Sequence, residues 1–231
     1  MKFKAIIFDL FGTLVDDFIS SGRGMYAELA AALAVPHEPF MRLWAQTSEM
    51  RTIGAFQTVE ASIEYVLDAM NVHAQPEQIK KAVEIRLKYI RQALQPRPNA
   101  IETLRQLKNH DYKIGLLSNC SIEIPLLWPE TAFVDLIDTP VFSSQVRFKK
   151  PDSRIYNLAC ERLDVRPESC LFIADGEDHE LNGAAKAGLN PVLIRIDSGK
   201  TSRRVHEEAT EWQGTTVFSL DEVLELVENK R

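Results

Sequence analysis

Residues 5–14 read Ala5-Ile6-Ile7-Phe8-Asp9-Leu10-Phe11-Gly12-Thr13-Leu14. Four apolar residues in succession near the N-terminus predict a buried strand, and Gly12 predicts the turn that ends it. Asp9 then stands at the carboxyl end of that strand, where ligands bind in open α/β sheets. A carboxylate placed there can attack as a nucleophile or bind a hard cation. It can equally cap the following turn, so the reading depends on what else in the chain ends the same way.

Three later segments end in suitable polar groups. Lys113-Ile114-Gly115-Leu116-Leu117 runs into Ser118-Asn119. Val141-Phe142-Ser143 is followed by Lys149-Lys150-Pro151-Asp152. Cys170-Leu171-Phe172-Ile173-Ala174 runs into Asp175-Gly176, with Glu180, Gly183-Ala184 and Ala187-Gly188 beyond. Helical patterns separate these runs. One carries Ile101, Leu104 and Leu107 behind a capping Asn99; others span about 152–163 and 180–187, and Val192-Leu193-Ile194 adds a strand. Ser219-Leu220-Asp221-Glu222 predicts a capped start for a last helix. Such alternation implies a parallel sheet covered on both faces.

Residues 16–95 differ. Apolar residues there recur at helical spacing: Met25, Leu29, Ala32 and Leu33; Ile63, Val66, Leu67 and Met70; Ile79, Val83, Leu87 and Ile90. These stripes predict the packed faces of a helical bundle. Pro96-Arg97-Pro98 breaks it and marks the return to extended chain. The expected fold class is therefore α/β, a Rossmann-like core of residues 1–15 and 96–231 around a helical insertion of residues 16–95.

Composition narrows the partners. The chain of 231 residues has 27 Lys and Arg against 33 Asp and Glu, a net charge of −6, with no basic run. Nucleic acid and membrane surfaces are therefore not expected partners, and a small-molecule substrate is. No apolar stretch spans a bilayer, the N-terminus lacks the pattern of a secretion signal, and oligomeric state is left open. Cys120, Cys160 and Cys170 have no metal-ligand spacing and fit a reducing, cytoplasmic setting.

In order along the chain, the four polar elements resemble the motifs of the haloacid dehalogenase superfamily of aspartate-nucleophile hydrolases. The resemblance covers nearly the whole sequence. It implies a Rossmann-like core with a helical cap, Asp9 as nucleophile, and Mg²⁺ held by Asp9, the backbone carbonyl of Phe11 and Asp175. It further implies that Ser118 and Asn119 hold substrate oxygens, that Lys150 bridges Asp9, substrate and Asp175, and that Thr13 orders the first loop. Glu180 matches a longer variant of the fourth motif, and is expected to hold a metal-bound water or the motif lysine; a solvated first-turn glutamate is the competing reading. Lys149, Asp178 and His179 are expected as surface or loop polar groups. Arg51 offers a possible anion contact from the insertion, although a solvated helix charge is the plainer expectation. Cys120 reads as a small packed thiol.

One position departs from the pattern. Phosphatases of the superfamily usually carry a second aspartate two residues after the nucleophile, as general acid and base, and here that residue is Phe11. Dehalogenases of the superfamily carry an aromatic residue there, but their fourth motif usually replaces the metal-binding aspartate that this chain keeps as Asp175. Three functions stay open: a Mg²⁺-dependent phosphatase of a small metabolite, a metal-independent 2-haloacid dehalogenase, and a binding or regulatory protein without turnover. The acidic residues favour the first.

Overall fold

The computed structural model describes residues 3–17, 24–196 and 206–228; the expected core and insertion extend outside these at 1–2, 18–23, 197–205 and 229–231. Six parallel strands form one sheet in the order β3-β2-β1-β4-β5-β6. They are β1 (Ala5–Phe8), β2 (Lys113–Ser118), β3 (Thr139–Phe142), β4 (Cys170–Ala174), β5 (Asn190–Ile194) and β6 (Thr216–Val217). Continuous apolar runs explain the central strands: every residue of β1 and β4 is buried. Alternate residues serve the two faces. Ile6 and Phe8 join Leu104, Leu107 and Val223 on one side, while Ala5 and Ile7 join Ile155, Tyr156 and Phe172 on the other.

Between β1 and β2 the described residues form α1 (Met25–Ala32), α2 (His37–Gln46), α3 (Ser48–Thr52), α4 (Val59–Ala69), α5 (Pro76–Ala93) and α6 (Ala100–Asn109). α1, α2, α4 and α5 share a separate hydrophobic cluster built on Met25, Leu29, Phe40, Trp44, Ile63, Val66 and Ile85. The expected stripe of α1 is buried at Met25, Leu29 and Leu33, with Ala32 half-buried against the same cluster and Ala30 buried beside them. The remaining helices are α7 (Glu123–Leu127), α8 (Ser143–Val146), α9 (Ser153–Arg162), α10 (Glu180–Lys186), α11 (Glu207–Glu211) and α12 (Leu220–Glu228). Ser143, expected to end β3, instead opens α8.

Two expected caps have different outcomes. Ser219 Oγ accepts the N–H of Glu222 at 3.2 Å, the capped start predicted for α12, while Glu222 accepts the N–H of Phe218, one residue before the cap, at 2.9 Å. Asn99 makes no side-chain cap. Its backbone is left-handed, with φ 64°, and its amide instead donates to Asp221 at 2.7 Å.

A buried ion pair ties the helical layer to the sheet layer. Arg86 of α5 donates from Nε to Glu123 of α7 at 2.6 Å, with both side chains almost fully covered. Burial alone would raise the Glu123 carboxyl, but Arg86 outweighs it and holds the group below the usual carboxylate range. Removing one partner of such a pair leaves an uncompensated charge in the interior. Glu123→Ala should cost about 3–5 kcal/mol in urea unfolding, whereas the joint change Arg86→Met with Glu123→Leu should cost clearly less. Equal losses would contradict this reading of the pair.

Candidate active site

β1 lies between β2 and β4, so the connections leave it in opposite directions, and a crevice opens at its carboxyl end. Two acidic side chains meet there. Phe8 pairs with Ile173, and Asp9 N–H donates to Ile173 O at 2.9 Å, which sets the end of β1 beside the end of β4. Gly12, with φ 83°, lets the first loop pass against Asp175; a Cβ at this position would fall 1.9 Å from Asp175 Oδ2. Asp9, Asp175 and Glu180 each offer a carboxylate oxygen, all within 4.8 Å of one another, and all three residues are buried.

Lys150 enters this group from the segment before α9. Its ammonium donates to Asp9 Oδ1 and to Glu180 Oε2 in close contacts. Asn119, just past β2, fixes the approach: its Oδ1 accepts the N–H of Lys150 at 2.9 Å, and its Nδ2 donates to the Lys150 carbonyl at 3.1 Å. The amide expected to face substrate therefore engages the backbone of the lysine loop.

Glu180 is fixed from several directions, and the solvated alternative gives way to a residue with 0% exposure. Its Oε1 accepts the N–H groups of Gly176 at 3.0 Å and Glu177 at 3.2 Å. Tyr156 Oη donates to its carbonyl at 2.8 Å. Glu208 of α11 accepts from Leu181 at 2.9 Å and Asn182 at 2.8 Å, satisfying N–H groups at the start of α10.

Electrostatics follow from burial. The Asp9 carboxyl is raised by desolvation, with Asp175 adding to the rise and Lys150 opposing it; Glu180 is raised for the same first reason. Desolvation would lower the Lys150 ammonium, but Asp9 and Glu180 outweigh it and keep the group protonated well above its ordinary range. Three carboxyl groups thus face one ammonium, with the imidazole of His206 beside one of them, Asp175.

Other expected residues fall around this centre. Ser118 Oγ is buried with only the weakly bonding Cys120 thiol in reach. Thr13 Oγ1 is buried without a protein partner and makes none of the hydrogen bonds expected to order the first loop. Phe11 and Asn119 line a cavity of about 620 Å³ with Tyr26, Trp44 and Arg51 of the helical layer. Lys149 also lines it and pairs with Glu49 at 2.7 Å and Asp178 at 3.8 Å, so it is more than a free surface charge. Asp178 and His179 are exposed. Burial pushes the Cys120 thiol up to about 12, as suits a packed group. His206 was not apparent from the sequence; its Nε2 lies 3.3 Å from Asp175 Oδ2, and that contact raises its pKa. A lone histidine thirty-one positions beyond its partner carries no sequence signal.

The fold and site define a doubly wound α/β protein with an acidic centre at its switch point. The family profile of haloacid dehalogenase-like hydrolases matches residues 3–188, and the chain belongs to that family. It is 28% identical over 196 residues to (S)-2-haloacid dehalogenase 4A of Burkholderia cepacia, spanning 83% of this chain and 82% of that one. It is also 29% identical over 138 residues to glyceraldehyde 3-phosphate phosphatase of Methanothermobacter thermautotrophicus, spanning 58% of each. In structure it resembles 2-haloacid dehalogenase from Pseudomonas syringae pv. Tomato DC3000, with TM-score 0.74, 18% identity, and coverage of 99% of this chain and 100% of that one.

Lys150→Met tests the charge arrangement. Without the ammonium, Asp9, Asp175 and Glu180 repel one another, and the variant should lose about 3–5 kcal/mol at neutral pH. Carboxyls with raised pKa values bind more protons folded than unfolded, so their contribution to stability falls as pH rises. The deficit against wild type should therefore shrink as pH is lowered from 7 toward about 5 in thermal unfolding. A deficit that grows on acidification would contradict the assignment.

Proposed function

We propose that the chain is a Mg²⁺-dependent phosphatase of a small phosphorylated metabolite, with Asp9 as nucleophile. The observation that carries this reading is the imbalance of three buried carboxylates against one ammonium. A dehalogenase attacking carbon has no need of such excess negative charge, whereas a divalent cation offsets it. The donors fit: hard carboxylate oxygens converge at one point, as Mg²⁺ requires. Asp9, Asp175 and the carbonyl of Phe11 would hold the ion, with Glu180 acting through Lys150. When bound, Mg²⁺ neutralises charge on the transferring phosphoryl group.

The chain's own groups have these roles. The Ser118 hydroxyl, buried with only the weakly bonding Cys120 thiol in reach, donates to a phosphoryl oxygen. Lys150 opposes the rise in the Asp9 carboxyl and orients it. Asp9 attacks phosphorus, the leaving oxygen departs, and water then cleaves the aspartyl phosphate. Phe11 supplies no proton, so the leaving oxygen takes one from water or from the substrate itself. Residues 16–95 act as a cap that excludes water over the crevice. Three free, buried cysteines fit a cytoplasmic setting.

A 2-haloacid dehalogenase is the second reading. Phe11 favours it, because halide leaves without a proton, and so does the name of the Burkholderia relative. Phosphate and halide release, each with Mg²⁺ and with chelator, separate the two. Phosphate release should require Mg²⁺ and vanish in Asp9→Asn. Phe11→Asp should raise turnover of a sugar or aryl phosphate at least about tenfold, since a positioned acid contributes about 10²–10⁴. Halide release by wild type in chelator, beside a stably folded Phe11→Asp variant without phosphatase gain, would overturn the phosphatase reading.

A further inference from the structure

Arg51 is a buried cation in an unusual position. It sits in α3, only 8% exposed, and desolvation together with Arg86 lowers its pKa to about 10. Among the described residues no carboxylate pairs with it. Both of its hydrogen bonds leave from Nη1, to Trp44 O at 2.7 Å and to Thr47 Oγ1. Its Nε and Nη2 therefore have no protein acceptor among the described residues. The guanidinium carbon lies over the Trp44 ring, 4.2 Å from its centroid. Arg86 also approaches that ring, at 5.3 Å, but Arg86 is neutralised by Glu123. Two guanidinium groups thus share one carboxylate, and one positive charge is left over.

The location gives that charge a use. Arg51, Arg86 and Trp44 line the same cavity as Phe11 and Asn119, which lie just past the carboxyl ends of β1 and β2 where Asp9 and Ser118 stand. Nor is α3 free to swing away. Ser143 Oγ, which accepts the N–H of Cys120 at 2.9 Å, donates to Thr52 O at 2.7 Å. Gly54, with φ 69°, lies so close to α8 that a Cβ would sit 1.8 Å from Ser144 O. The core thereby fixes the place from which Arg51 projects. Leaving a charge buried and unpaired is costly, and the cost is removed when a ligand brings the missing counter-ion.

We infer that Arg51 is a specificity-determining residue that binds a carboxylate on the substrate, at the end remote from the phosphoryl group. The inference rests on the phosphatase reading for the reacting end. One surplus positive charge matches a monoanionic carboxylate better than a second, dianionic phosphate, and the planar guanidinium offers two donors in the geometry that a carboxylate accepts. The substrate class is then a small phosphomonoester that also carries a carboxylate.

Binding tests this without turnover. Phosphonocarboxylates of increasing chain length are titrated calorimetrically against alkylphosphonates of the same length, with Mg²⁺ present. At one chain length wild type should prefer the carboxylated probe by about tenfold to a hundredfold, the range of a charge-assisted hydrogen-bonded pair. Arg51→Gln should abolish the preference. Arg51→Lys, which keeps the charge but loses the second donor, should reduce it several-fold, and it serves alone if Arg51→Gln does not fold. Absence of any preference in wild type, or a preference unchanged in the variants, overturns the inference. Phosphate release from the matching phosphomonoesters is measured in parallel. A preference that depends on Arg51, without phosphate release, would uphold the carboxylate site while rejecting the phosphatase reading.

Discussion

The ammonium of Lys150 is the interaction on which the rest of the site depends. It touches Asp9 beyond β1 and Glu180 in the helix after β4, while its backbone is held by Asn119 beyond β2. One buried cation therefore joins the ends of three neighbouring strands at the switch point. Without it the acidic residues would repel one another or take up protons, and Asp9 could not serve as the proposed nucleophile. The lysine compensates only part of the negative charge, and in the proposed function the remainder serves to hold a hard cation.

The opposite wall of the cavity is unbalanced in the other sense. Glu123 satisfies Arg86, yet Arg51 stays without a carboxylate among the described residues. Both imbalances cost folding free energy if they stay unanswered, and both are placed where a small molecule can answer them. The helical layer is joined to the sheet layer by the Arg86–Glu123 pair, the Ser143–Thr52 hydrogen bond and the close approach of Gly54. The cavity between the two layers is consequently a defined space.

Much of the fold was legible because its strongest signals are local. Continuous apolar runs marked β1, β2 and β4, and helical spacing marked the layer from Met25 to Ile90. Asp9, Lys150 and Asp175 stood out because each follows or precedes a recognisable break in those runs. What escaped notice is long-range. The sequence says nothing of Glu208 reaching back to the start of α10, or of His206 beside Asp175. The burial of Arg51 was missed because a charged residue in a short helix reads as solvated until the surface above it is known. Asn99 looked like a cap by residue type, but a left-handed backbone turned its amide toward Asp221. β6 is two residues long, too short for periodicity to register.

Calorimetric titration of Mg²⁺ in the presence of a phosphate analogue addresses the central claim, that the surplus negative charge is a cation site. Wild type should bind Mg²⁺, and Asp175→Asn should weaken binding by at least about tenfold, because a hard carboxylate ligand is lost while the fold keeps its shape. Glu180→Gln should weaken it less, since that side chain is engaged with Lys150. Equal affinity in wild type and Asp175→Asn, or no Mg²⁺ binding by wild type at millimolar concentration, would contradict the account.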